Sequence, residues 1–151
     1  KRGGIVSPTV ITSPFYRGVP GMDRDIEIDN IRYIRTAHLE NVEVFPNWED
    51  FSILKKLIFY PFRQILLLQR ERELMRLFQR EIEDICRRES PDIIHAHTPF
   101  KNGMPSVKAA RKLKKPFIYE VRGLWEESAI ANKRYSRWNP RYWRFRIFSR
   151  I

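Results

Sequence analysis

The sequence predicts an α/β protein of three layers built on a mainly parallel sheet. Three observations carry that expectation. A short apolar run, DIIHAH at 92–97, stops at Thr98 and Pro99, and proline cannot continue a central strand. Val107, Ala110, Arg111 and Leu113 follow at helical spacing, with Lys112, Lys114 and Lys115 loading the last turn, where cations suit the helix dipole. Pro116 ends that helix, and FIYEV at 117–121 is a second β-rich run. Strand, helix and strand in so short a span make a crossover unit, whose two strands run parallel and side by side. In open sheets of this kind ligands bind beyond the carboxyl ends of the strands. His95, His97, Glu120, Arg122 and Trp125 fall there.

The remaining elements are read in chain order. Ile5-Val6 and Thr9 to Thr12 form a short apolar stretch interrupted by Pro8, which suits an edge or ragged strand. Residues 13–21 are punctuated by proline and glycine and form a loop. Ile26 to Ile28 and Ile31 to Thr36 alternate apolar with polar around Asp29-Asn30, the signature of a hairpin with a two-residue turn. Residues 38–48 are read as loop. A helix over 50–60 is expected to break or kink at Pro61, followed by a long helix over 62–88. Along it Leu74, Leu77, Phe78, Ile82 and Ile85 form an apolar stripe opposite a mixed, solvated charged face. The apolar cluster at 57–68, mixed with Lys55, Lys56 and Arg63, suits a buried helix first, and otherwise a membrane surface or the underside of a partner.

Composition narrows the function classes. With 151 residues, 42% hydrophobic, the chain has enough material for a real core and one domain. The net charge of +11 calls for an anionic neighbour. Residues 133–151 supply seven Lys or Arg and no acid, interleaved with Trp138, Tyr142, Trp143, Phe145 and Phe148. That pattern suits single-stranded nucleic acid and equally an anionic bilayer, through Arg137, Trp138, Arg141, Trp143 and Arg144. Tyr142, Phe145 and Phe148 also step by three, which gives an amphipathic helix with an aromatic face packed on the domain. Nucleic acid is the weaker partner, because basic residues elsewhere are largely offset by acids and no RNA-binding signature is present. The expected organisation is therefore a domain over 1–132 and a basic aromatic helical segment over 133–151. A single cysteine, Cys86, excludes an internal disulfide and fits a reducing compartment.

Motif absences matter too. The sequence has no Gly-rich phosphate loop of either common spacing, no HExxH and no GxSxG. His95 and His97, two apart on a strand, share a face, but no third ligand of obvious spacing accompanies them, so neither a metal nor a cofactor is expected. Glu120 and Arg122 are read as sharing a strand face, as an ion pair or, for Arg122 with Lys101, as a clamp for phosphate or carboxylate.

DIIHAHTP at 92–99, then Asn102-Gly103, an alanine-bearing helix and PFIYEVRGLWEES at 116–128, resembles the N-terminal domain of retaining glycosyltransferases of family 4. The bacterial exopolysaccharide-type subgroup is the nearest in pattern. VITSP at 10–14 and IDNIRYIRT at 28–36 resemble that family's VTSP strand end and the hairpin that follows it, so the likeness spans nearly the whole chain and is specific over 91–128. The resemblance implies the acceptor-side half of a GT-B fold, a Rossmann-like domain facing a second domain that holds the sugar nucleotide. It implies a cleft lined by His95, His97, Thr98, Asn102, Gly103, Glu120, Arg122 and Gly123, with Arg122 and Glu120 the candidates for a catalytic part. Many relatives carry a histidine where this chain has Arg122; an arginine orients a hydroxyl or phosphate and does not transfer a proton. The first strand with its Gly-rich loop and the nucleotide-binding domain lie outside these residues, so the isolated chain is expected to be silent. Its expected partners are a glycan or lipid-linked acceptor, a sugar-nucleotide donor only alongside the second domain, and an anionic membrane surface at the cytoplasmic face.

Overall fold

The computed structural model describes residues 7–14, 23–36, 52–123, 125–133 and 136–148, with the backbone alone at Trp125, Glu126, Pro140 and Arg141. It is an α/β structure with parallel strand pairs and helices. The chain divides into two compact units, Lys1–Phe78 and Gln79–Ile151.

The first unit holds a three-stranded sheet, β1 (Thr9–Thr12), β2 (Asp25–Ile28) and β3 (Ile31–Arg35), in the order β1-β3-β2. β2 and β3 are the expected hairpin, paired antiparallel from Asp25↔Ile34 to Ile28↔Ile31. Asp29 and Asn30 turn it with φ of 51° and 60°, the left-handed backbone that a tight hairpin needs and that these two residue types tolerate best after glycine. β1 lies at the sheet edge, as the Pro8 interruption suggested, parallel to β3. The buried Thr36 hydroxyl donates to the Thr12 carbonyl at 2.7 Å, tying the two strand ends together. The loop expected at 38–48 and most of that at 13–21 lie outside the described residues.

Helix α1 (Ile53–Glu89) corrects the expected break. Ser52 opens it, its hydroxyl accepting from the Lys55 amide at 3.4 Å and its carbonyl from Lys56 at 2.9 Å. The helix then runs through Pro61 without ending. A proline removes one ladder bond and costs about 3 kcal/mol, and 37 residues of otherwise good helix formers carry the ladder past it. Phe78, Ile82, Ile85 and Cys86 are buried along one face. Ile53, Leu54, Leu57 and Ile58 are 65% to 87% exposed.

In the second unit, β4 (Ile94–His97), α2 (Phe100–Leu113) and β5 (Phe117–Glu120) form the crossover unit read from the sequence. β4 and β5 pair in parallel, and α2 packs on both. α2 starts six residues before the expected 106, taking in Asn102, Gly103 and Pro105. The first four amides of a helix have no intrahelical partner to lose, so turn-prone residues are accommodated there. Here the Asn102 and Gly103 amides turn back on the Pro99 carbonyl at 2.9 and 3.4 Å. Ala109 and Ala110 are fully buried and let α2 approach closely. The helix closes at Lys114, whose φ of 53° sends its own amide and that of Lys115 back to the last turn.

The end of α1 is tied to α2 by Glu83, only 3% exposed, whose carboxylate accepts from Lys112 Nζ at 2.6 Å, Gln79 Nε2 at 2.8 Å and Arg87 Nη2 at 3.2 Å. α3 (Trp125–Ala131) and α4 (Pro140–Phe148) pack together. Tyr142 is buried and donates its hydroxyl to Glu127 at 2.9 Å. Phe145 and Phe148 meet the buried Phe100 ring at centroid distances of 5.4 and 5.3 Å. Of the three-residue aromatic step, Tyr142 is buried and Phe145 half-buried, while Phe148 touches Phe100 and stays 40% exposed.

Candidate functional site

Strand alternation decides which side chains reach the end of the parallel pair. Ile94 and Ala96 of β4 are buried, which turns His95 and His97 to the opposite, open face. Register then supplies their neighbour, because His97 is the cross-strand partner of Glu120. The ladder continues one step further, the Thr98 amide donating to the Glu120 carbonyl at 3.1 Å.

Three ionisable groups converge as a result. Glu120 Oε2 lies 3.2 Å from His95 Nε2 and 3.1 Å from His97 Nδ1, and the two imidazoles are 4.5 Å apart between centroids. Arg122 Nε donates to the other carboxylate oxygen, Oε1, at 3.0 Å. That hydrogen bond, aided by the charges of Arg122 and the two histidines, holds the Glu120 carboxyl below its ordinary value against a smaller opposing effect of desolvation. The group is therefore an anion at neutral pH. His97 Nδ1 is buried and makes no hydrogen bond, although Glu120 Oε2 lies 3.1 Å away. All three side chains are about 40% exposed, so the cluster opens to solvent.

The other expected residues fall around this cluster in different ways. Thr98, joined to Pro99 by a cis peptide bond, accepts the Arg122 amide on its hydroxyl at 3.3 Å and so ties the two strand ends together. Arg122 lies past the end of β5, not on it, which corrects the shared strand face while keeping the ion pair with Glu120. Asn102 and Gly103 sit in the first turn of α2; the Asn102 carbonyl accepts from Ser106, and Gly103 is buried. Gly123 is exposed, with open space where a side chain would begin. The side chain of Trp125 lies outside the described residues.

Of the basic aromatic segment, Trp138 is 92% and Trp143 53% exposed. Arg137 is exposed near Glu127, and the Arg144 guanidinium lies 5.8 Å above the Phe100 ring. Arg141 is described by its backbone alone. The sequence reading placed His95, His97 and Glu120 together beyond the strand ends, but missed that one Glu120 oxygen meets both imidazoles. The signal was the crossover unit itself, since parallel neighbours that finish together bring their last outward residues side by side.

The sequence model of Glycosyltransferase Family 4 matches residues 30–151. Comparison with curated proteins and with solved structures gave no match. The matched span contains β3, the whole crossover unit and the polar cluster at its finishing edge, and on that match this chain belongs to Glycosyltransferase Family 4.

Proposed function

We propose that this chain is the acceptor-side portion of a retaining glycosyltransferase acting with a sugar-nucleotide donor on a glycan or lipid-linked acceptor of the exopolysaccharide type. The observation that carries the reading is the solvent-open cluster of His95, His97, Glu120 and Arg122 at the carboxyl ends of a parallel pair, inside a Glycosyltransferase Family 4 match. Imidazoles and a carboxylate accept hydrogen bonds from sugar hydroxyls, and Arg122, fixed by Glu120 and by its amide to Thr98, presents its remaining donors to an acceptor hydroxyl or phosphate. Transfer also needs cationic stabilisation of the departing nucleotide phosphate. The sequence has no Gly-rich phosphate loop of either common spacing, which supports a polypeptide that gives no turnover by itself.

The test is binding of an acceptor panel by saturation-transfer NMR, with and without a sugar nucleotide. Oligosaccharide or polyprenyl-phosphate sugar is expected to bind the chain, and Arg122→Ala to weaken binding about tenfold, the loss of one charge-assisted bond. Binding untouched by Arg122→Ala and His97→Ala together overturns the site. Transfer from any common sugar nucleotide by this chain overturns the proposed silence.

A membrane-facing role at the cytoplasmic leaflet has its own support. The first two turns of α1 expose Ile53, Leu54, Leu57 and Ile58 beside Lys55 and Lys56, the composition of an interfacial helix. No helix among the described residues is long and apolar enough to cross a membrane.

A further inference from the structure

We propose that His95, His97 and Glu120 form a binding site for a divalent transition-metal ion of the zinc type, with Arg122 as the residue that positions the carboxylate. The sequence offered two histidines and no third ligand; the parallel register of β4 and β5 supplies the third, because His97 and Glu120 are direct partners and His95 lies two residues back on the same face. One donor atom from each of the three lies within 4.8 Å of the others.

The spacing is compatible with three ligands of one metal ion. An ion bound at about 2.0–2.1 Å holds neighbouring ligand atoms about 3.0 Å apart in octahedral and about 3.4 Å apart in tetrahedral geometry. The two nitrogen-to-Oε2 distances are 3.2 and 3.1 Å. Yet His97 Nδ1 is buried without a hydrogen bond, an orphan that a metal ion would satisfy. All three donor atoms lie within 4.8 Å of one another, and both rings and the carboxylate are partly exposed, so small side-chain rotations are sterically open to them.

The carboxylate is prepared on its far side. Arg122 Nε occupies Oε1 and leaves Oε2 facing the imidazoles, the outer support that ligating carboxylates ordinarily have. Two imidazoles and one carboxylate select a borderline ion such as Zn2+ over Mg2+ or Ca2+, which prefer oxygen. Three protein ligands leave a coordination position toward solvent, where a water or a hydroxyl oxygen binds. The inference concerns the metal alone and stands whether or not the chain receives a sugar.

The experiment is titration of the full 151-residue chain with Zn2+, read by calorimetry and by long-range 1H–15N spectra of the imidazoles. The chain has three histidines, so His38 is the internal reference. The expected result is one ion per chain, with His95 and His97 shifting together, His38 unmoved, and no response to Mg2+ or Ca2+. His97→Ala and Glu120→Gln should each lower Zn2+ affinity at least about tenfold, with unchanged circular dichroism. His95→Asn should abolish the His97 shift, which a merely structural histidine pair would not show. Shifts confined to His38, equal affinity in Glu120→Gln, or binding of Mg2+ as tight as Zn2+ would each overturn the proposal.

Discussion

Glu83 is a buried carboxylate whose surroundings favour its charged form. Its carboxylate is withdrawn from water but held by a lysine, an amide and a guanidinium. The Lys112 hydrogen bond, opposed by desolvation and aided by Gln79 and Arg87, places its pKa below the ordinary 4.5. A lowered carboxyl contributes stability that is present above its unfolded value and is lost as pH falls through the folded one. Urea denaturation should therefore show stability falling as the pH drops below about 4.5, and Glu83→Gln should flatten that dependence. At pH 7 the same variant should cost about 1–3 kcal/mol, the range for losing a charge-assisted buried contact. Cys86, buried three residues on, has its thiol pushed up by desolvation. Labelling by a disulfide reagent at pH 8 should be slow in the native chain and fast in denaturant. Labelling as fast as free cysteine would contradict that burial.

Elements were legible where local chemistry and tertiary pairing agree. Asp29-Asn30 announced the hairpin because few residue pairs accept two successive left-handed conformations. Pro99 and Pro116 bracketed the strands and helix of the crossover unit for the same kind of reason. Pro61 misled, since a proline penalty is a few kcal/mol and a long helix absorbs it. The start of α2 misled as well, since the first turn of a helix makes few demands on Asn102 and Gly103. The candidate site was half legible: the crossover unit brought the residues to one strand edge, but which atoms meet depends on strand register, which no local pattern encodes. The left-handed Lys114 at the end of α2 offers a test at this scale. Lys114→Gly should stabilise the chain by about 0.5–1 kcal/mol, read as a raised urea midpoint with unchanged m-value.

For the whole molecule, charge is the property most visible in composition and least informative about place. The +11 balance is concentrated toward the C-terminal segment, yet Tyr142 there is buried and Phe145 packs on Phe100, while Trp138, Trp143 and Arg137 are exposed. Sedimentation with vesicles should show binding to anionic and not to neutral lipid, weakening with salt as a screened surface interaction does. Leu57→Asp with Ile58→Asp should reduce binding several-fold if α1 is the contact, and Trp138→Ala with Trp143→Ala if α4 is. Equal sedimentation with neutral vesicles would remove electrostatics from the account.

The boundary between the two compact units falls between Phe78 and Gln79, within the unbroken run of α1. Anyone wishing to express the C-terminal half alone faces a choice the contact pattern does not make. Starting the gene fragment at residue 79 severs a running helical ladder and strands amides that nothing will cap. Starting at Ser52 keeps the natural cap and should give the better-behaved fragment.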